Sequence, residues 1–262
     1  MGVLNLTPDS FSDAGHFSTL SGALAQAERM AAEGADMIDL GGESTRPGAR
    51  PVSENEELDR VLPLVEALRT RYSGVISFDT NKPGVMRAAV AAGADMINDV
   101  YALRRADALQ TASDLRVPVC LMHMQGDPAT MQVRPGYTNV LTEVTGFLRE
   151  RARACIAAGI SASNIFVDPG FGFGKDLKHN LALMRGLRHI AALGYPVLVG
   201  VSRKSMIGEI TGKPLDQRVY GSVAMAVYAA LQGASVVRVH DVGPTVDALR
   251  VIGALNQENE DD

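Results

Sequence analysis

Short apolar runs alternate along this chain with longer stretches in which apolar positions recur every three or four residues. The runs predict buried parallel strands and the longer stretches predict crossover helices, so the repeating unit is a strand followed by a helix. Eight units are predicted, with strands at Gly2–Asn5, Asp36–Leu40, Val75–Asp79, Asp95–Asp99, Pro118–Met122, Ile165–Asp168, Pro196–Val201 and Ser235–His240. Three of the helices show packing stripes: Leu20, Leu24, Ala27 and Ala31; Leu58, Leu62, Val65 and Leu68; Val219, Val223, Ala226 and Ala230. No Pro/Ser-rich linker interrupts the 262 residues. Eight βα units at this length predict an α/β fold of the (β/α)8 TIM-barrel class, a single domain over residues 1–255 with an acidic tail at 256–262. A doubly wound sheet is the competing arrangement, but its crevice would not recruit polar strand ends from all eight strands.

A short internal repeat sharpens this picture. Gly34-Ala-Asp-Met-Ile-Asp39, Gly93-Ala-Asp-Met-Ile-Asn98 and Gly233-Ala-Ser-Val-Val-Arg238 each read as a helix-ending glycine feeding a strand. Asp39, Asn98 and Arg238 then hold equivalent places, on the face of Met37, Met96 and Val236 and opposite Ile38, Ile97 and Val237. If the isoleucines and Val237 face the helices, the polar three face the barrel mouth. Asn5, Asp79, His123, Asp168 and the Ser202-Arg203-Lys204 run end the other strands in the same way. In such barrels the carboxyl ends of the strands carry the active site.

Composition narrows the ligand. The formal net charge is −5 and the pI about 5.6, which argues against non-specific binding to nucleic acid or anionic membranes. Cys120 and Cys155 sit in no metal or redox spacing, no run is long enough to span a membrane, and the first residues lack the basic-then-apolar layout of a signal peptide, so a soluble protein of the reducing cytoplasm is expected. Asp79, Asp168, Asn98 and Lys204 suit a flat heterocycle with N–H donors on one edge and acceptors on another, such as an amino-pyrimidinone. Either aspartate could instead cap the helix that follows, Asp79 more easily because Thr80-Asn81-Lys82-Pro83 comes next. Asp168 opens Pro169-Gly170-Phe171-Gly172-Phe173-Gly174-Lys175, a run suited to close approach of backbone to a ligand. Arg46, Arg203, Arg238 and His240 are cations near strand ends in an acidic chain, and diphosphate is a fitting anion for them. An oxygen-rich mouth with a phosphate ligand favours Mg2+ over zinc, with Asn5 as a protein ligand. The glycine run has neither Walker nor dinucleotide spacing.

Asn5-Leu6-Thr7-Pro8-Asp9-Ser10-Phe11-Ser12-Asp13 resembles the first loop of the dihydropteroate synthases, a family of pterin-binding enzymes. Gly41-Gly42-Glu43-Ser44-Thr45-Arg46-Pro47-Gly48 is similar to the second loop, the Asp168 to Lys175 run to the sixth, Ser202-Arg203-Lys204-Ser205 to the seventh, and Arg238-Val239-His240-Asp241-Val242 to the last strand. The resemblance implies pterin contacts from Asp39, Asp79, Asn98, Met122, Asp168 and Lys204. It implies diphosphate contacts from Asn5, Arg46, Arg238 and His240, with Asn5 also at Mg2+. It places Phe11, Thr45, Pro47, Phe173, Lys204 and Ser205 around p-aminobenzoate. The implied reaction displaces diphosphate from 6-hydroxymethyl-7,8-dihydropterin diphosphate by the arylamine, with Asp79, Asp168, Lys204, Arg238 and His240 as the catalytic groups, in a homodimer joined through outer helices near the C-terminus. The family's N-terminal strand hairpin precedes the first barrel strand, whereas the residues here start directly at that strand, so the expectation is either a truncated start or an open barrel floor. Tyr101 to Asp107 has no role in the resemblance. Two rivals share the pterin pocket: a methyltransferase barrel, which needs no diphosphate site, and a non-catalytic pterin-binding protein.

Overall fold

The computed structural model describes residues 1–6, 20–44, 50, 52–128 and 130–256. Six parallel strands run in sequence order, β1 Gly2–Asn5, β2 Met37–Gly41, β3 Val75–Asp79, β4 Met96–Asp99, β5 Val119–Met122 and β6 Ile165–Asp168. β7 Leu198–Val199 and β8 Val236–Val237 pair with each other. Bridges Val167↔Val197 and Gly2↔Val239 join this pair to β6 and β1, so the eight strands close into a barrel. The sequence predicts six residues for each of the last two strands, and only two form a ladder. Beyond them the pairing continues as isolated bonds, Arg238 N to the Val199 carbonyl and Val239 N to that of Met1, because the chain already turns toward the mouth at Val201 to Lys204.

Among the described residues the helices are α1 Leu20–Ala32, α2 Glu54–Arg69, α3 Pro83–Ala91, α4 Ala108–Leu115, α5 Val140–Ala157, α6 Leu177–Arg185, α7 Leu187–Ala191, α8 Ser205–Thr211, α9 Val219–Leu231 and α10 Val242–Asn256. None is long and apolar enough to cross a membrane. The packing stripes are rotated from the expected ones. α1 buries Ala23, Leu24, Ala27 and Met30 and leaves Leu20 exposed. α2 buries Val61, Leu64, Val65 and Leu68, and α9 buries Ser222, Ala226 and Ala229. Small residues at the contact let a helix lie close to the sheet, and the larger side chains flank it.

Alternation along the strands divides the core in two. Ile38, Ile97 and Val237 pack between sheet and helices, whereas Met37, Val75, Met96, Cys120, Phe166, Leu198 and Val236, with Met1, fill the barrel interior. Asp39, Asn98 and Arg238, two residues beyond Met37, Met96 and Val236, therefore point into the barrel above this apolar plug. The repeat glycines end their helices as expected. Gly34, Gly93 and Gly233 have φ of +96°, +114° and +96°. In each case the following N–H returns to a carbonyl five residues back, as in Ala35 to Met30, which satisfies an otherwise orphaned acceptor. Gly159, at φ +99°, closes α5 in the same way, with Ile160 N donating to the Cys155 carbonyl, although its sequence context hides the repeat.

Candidate active site

The repeat residues meet at the mouth. Asp39, fully buried, accepts from Arg238 Nε at 2.6 Å and from Asn98 Nδ2 at 3.3 Å through Oδ2, and from the Ser77 hydroxyl at 2.6 Å through Oδ1. Arg238 also donates to Asp79 Oδ2 at 3.4 Å. One guanidinium thus bridges two carboxylates one strand apart. Burial and the neighbouring Asp39 push the Asp79 carboxyl well above its usual range, and Arg238 works against them. A helix-capping role for Asp79 is excluded by geometry, since Lys82 occupies the N-cap of α3 and Pro83 follows at its first turn. Ser77 went unnoticed in sequence; a polar residue at an inward position of an otherwise apolar strand is the signal that marks it.

Asp168 ends β6 opposite Met122 of β5. Its Oδ1 accepts from Gly170 N at 2.7 Å, which turns the chain out of the strand. Burial raises its pKa, opposed by the charge of Lys204 and the Gly170 hydrogen bond. Lys204, the N-cap of α8, donates to the Phe171 carbonyl and lies 4.8 Å from the centre of the Phe173 ring, and burial draws its pKa down to about 8. Met122, Val100, Met124 and Met131 form an apolar patch on which Phe173 packs. The glycine run is closely packed within the described residues. Gly170, Gly172 and Gly174 are all left-handed, and their close neighbours are protein. A Cβ would meet the His123 carbonyl at 1.9 Å, Lys204 Cδ at 3.2 Å and the Gln125 carbonyl at 2.5 Å respectively.

Two further cations have defined surroundings. Arg203, itself left-handed at φ +59°, forms a two-pronged pair with Asp241, at 3.0 and 2.5 Å, which ties the seventh loop to the eighth. His240 lies 3.1 Å from the buried Ser202 hydroxyl through both its backbone N and Nδ1. Asn5 is partly buried, with Oδ1 beside Gly41, where a Cβ would come within 3.1 Å. Ser205 is exposed at the start of α8. Phe11, Thr45, Arg46 and Pro47 lie outside the described residues, as do residues 257–262 of the expected tail. Both cysteines are buried, and burial pushes the Cys155 thiol up to about 11 and the Cys120 thiol well above its ordinary range, which disfavours the thiolate at either position.

Residues 1–240 match the family described as pterin binding enzyme. A dihydropteroate synthase of Haemophilus influenzae is 54% identical over 251 residues, which cover 96% of this chain and 91% of that one. The chain belongs to the dihydropteroate synthase family. Among solved members, the Yersinia pestis enzyme in a sulfonamide drug complex aligns with a TM-score of 0.95 and 50% identity, covering 98% of this chain and 94% of its own. The Xanthomonas albilineans synthase with 4-aminobenzoic acid aligns at 0.93 and 53% identity, covering 98% and 93%. Family membership places the competing methyltransferase and non-catalytic readings behind the synthase.

Proposed function

We propose that this chain condenses 6-hydroxymethyl-7,8-dihydropterin diphosphate with p-aminobenzoate, giving 7,8-dihydropteroate and diphosphate in folate biosynthesis. The observation that carries the reading is the pairing, at one barrel mouth, of carboxylates and an amide able to hold a pterin with an arginine and a histidine able to hold its leaving group. Asp79, Asn98 and Asp168 face the N–H-rich edge of the ring, Lys204 donates to its acceptors, and Met122 and Asp39 shape the pocket floor. Asn5, Arg46, Arg238 and His240 take the diphosphate. Phe11, Thr45, Pro47, Phe173, Lys204 and Ser205 surround the arylamine, the position sulfonamides would share.

In the reaction the methylene C–O bond breaks and its electron pair leaves with diphosphate. The arylamine nitrogen then forms the C–N bond and gives up a proton. Arg238 has five N–H donors, of which those to Asp39 and Asp79 use two, so others remain for the charge that grows on diphosphate. Carboxylates at Asp79 and Asp168 oppose the positive charge that develops on the pterin methylene. The arylamine needs no activated base, and exclusion of water protects the cation.

Mg2+ fits this mouth in a particular way. Among the described residues no three His, Cys, Asp or Glu side chains converge on a point, and Asn5 offers a single neutral oxygen. A hard cation that takes most of its ligands from water and phosphate suits one such donor. When bound, Mg2+ supplies neutralisation of diphosphate charge.

A cytoplasmic location and a homodimer complete the reading. Tyr220, Tyr228 and Leu231 of α9 and Val251 and Leu255 of the adjacent α10 are exposed apolar side chains on neighbouring outer helices, the kind of surface that a second copy covers. The deciding experiment supplies Mg2+ and both substrates to the folded protein and measures diphosphate and dihydropteroate. Equal yields of the two are expected, and folded protein that yields neither would overturn the proposal. Asp168→Asn, which turns an amide donor toward ring donors, is expected to weaken binding of the free pterin by about tenfold or more.

A further inference from the structure

Lys175 ends the glycine run and is 2% exposed, and its Nζ is held by backbone carbonyls and a histidine ring, not by any side chain assigned to substrate. Its Nζ lies 2.9 Å from the Gly170 carbonyl, 2.9 Å from the Phe173 carbonyl and 3.0 Å from His123 Nδ1, with the His123 carbonyl at 3.4 Å. An ammonium has three N–H bonds and no lone pair. Three acceptors at 2.9 to 3.0 Å match that number, whereas a neutral amine would turn its lone pair on one of them. Burial and the charge of Lys175 hold His123 down at about 3, so its ring is unprotonated and Nδ1 is free to accept. Burial draws Lys175 itself down to about 7, against the attraction of Asp168.

The rest of the loop is arranged around this cation. Gly172 N donates to Asn180 Oδ1 at 2.8 Å, and the Tyr137 hydroxyl donates to the Gly174 carbonyl at 2.8 Å. The left-handed turns at Gly170, Gly172 and Gly174 bring carbonyls from both ends of the run onto one Nζ, and a side chain at Gly170 or Gly174 would collide with the backbone after β5. Between the two carbonyls that Lys175 holds, Phe171 accepts from Lys204, whose Nζ lies near the Phe173 ring.

We propose that Lys175 is a positioning residue for the arylamine: its ammonium gathers the Gly170 and Phe173 carbonyls against His123 and so fixes the surface that Phe173 and Lys204 present. The inference rests on the reading that Phe173 and Lys204 line the p-aminobenzoate position. It weighs more on the arylamine than on the pterin, because the pterin contacts of Asp79, Asn98 and Asp168 stand on strand ends whose ladders do not depend on Lys175, and Lys204 is the one assigned group that both substrates share.

Lys175→Met keeps an unbranched side chain as far as Cε and removes all three donors. The KM for p-aminobenzoate is expected to rise by about tenfold or more, since a displacement of a fraction of an ångström in a positioned group carries that penalty. Affinity for free 6-hydroxymethyl-7,8-dihydropterin, measured by calorimetry, is expected to stay within about threefold, because the strand-borne contacts persist. A folded variant with an unchanged KM for p-aminobenzoate, or with equal losses for both ligands, would overturn the role. Should Lys175→Met fail to fold, His123→Leu, which leaves one N–H without an acceptor, is expected to raise the same KM by about threefold or more. His123→Asn, which restores an oxygen acceptor, should lie closer to wild type; equal effects of Leu and Asn would overturn the role as well. Turnover by the wild type in the same series keeps the two ideas apart. An inactive wild type counts against the functional reading, and an active wild type with indifferent variants counts against Lys175 alone.

Discussion

The two sides of the barrel mouth hold their functional groups by different means. On the side of β2, β3, β4 and β8, strand-borne side chains hold one another: Asp39 takes Arg238, Asn98 and Ser77, and Arg238 reaches on to Asp79. On the side of β5, β6 and β7, a buried ammonium holds backbone, with Lys175 on the carbonyls of Gly170 and Phe173 and Lys204 on that of Phe171. The first arrangement fixes charges relative to one another at a depth set by the strands. The second fixes the shape of a loop, and the side chains it carries follow. A pterin, flat and rich in hydrogen-bonding edges, gains from the first; an arylamine, small and largely apolar, gains from a shaped wall.

The largest effect is expected where the strand-borne network is cut at its centre. Asp39→Asn keeps one amide oxygen but removes the buried carboxylate charge paired with Arg238, leaving the longer contact to Asp79 as its carboxylate pairing, and loss of one partner of a buried ion pair costs about 3 to 4 kcal/mol. Thermal unfolding should therefore fall by roughly 6 to 12 °C for a domain of this size. Turnover should fall with it, since Arg238 and Asn98 lose their common carboxylate. A melting temperature within a degree or two of wild type would show that Asp79 alone can hold Arg238, and the network would then be less centred on Asp39 than its distances imply.

A cut in the loop-borne side comes next. Gly170→Ala would place a Cβ 1.9 Å from the His123 carbonyl at φ +68°, whereas Gly194, at φ +85°, has no neighbour within 4 Å of the same position. Gly194→Ala pays only left-handed strain, about 1 kcal/mol, and Gly170→Ala adds a backbone displacement for a total of about 2 to 3 kcal/mol. Chemical denaturation of the pair measures the difference. The activity of Gly194→Ala should match wild type and that of Gly170→Ala should not. Equal stabilities would mean that the loop can slide over the end of β5 without cost, and the contrast between the two sides would weaken.

These two sides were unequally legible in the sequence. Asp39, Asn98 and Arg238 announce themselves through a shared glycine-to-strand spacing, and the period of two in a strand then puts them on one face; their mutual contact is the direct outcome. Strand positions followed for the same reason, with β1, β3 and β6 matching residue for residue. What stayed hidden depends on backbone carbonyls or on the far ends of side chains, for which sequence carries no periodic signal. Lys175 looked like the end of a glycine run, the glycines gave no sign of the His123, Gln125 and Lys204 atoms that lie beside them, and Arg203 gave no sign of Asp241, 38 residues away, which accepts both its prongs. Helix stripes were displaced because small residues, which periodicity scores weakly, make the closest contacts with the sheet.

The smallest effect probes the loop-borne side through a proton. His123 has its folded pKa depressed to about 3 from an ordinary 6.5, by burial first and then by Lys175. A depressed folded pKa means that the unfolded chain takes up the proton first, so stability present above pH 6.5 is lost progressively as pH falls toward 3. Each pH unit in that window costs about 1.4 kcal/mol, so by pH 5 the deficit is about 2 kcal/mol, or roughly 5 °C in melting temperature. Aspartates with raised pKa, Asp79 and Asp168, act in the opposite sense and gain relative stability on acidification. Wild type alone therefore shows a mixture, and the difference between wild type and His123→Asn isolates the imidazole. The variant should lose less of its stability between pH 6.5 and 5 than wild type does. Parallel melting curves across that interval would mean that His123 accepts its proton in the folded protein. Its Nδ1 could then no longer accept from Lys175, and the loop would have to be held by the two carbonyls alone.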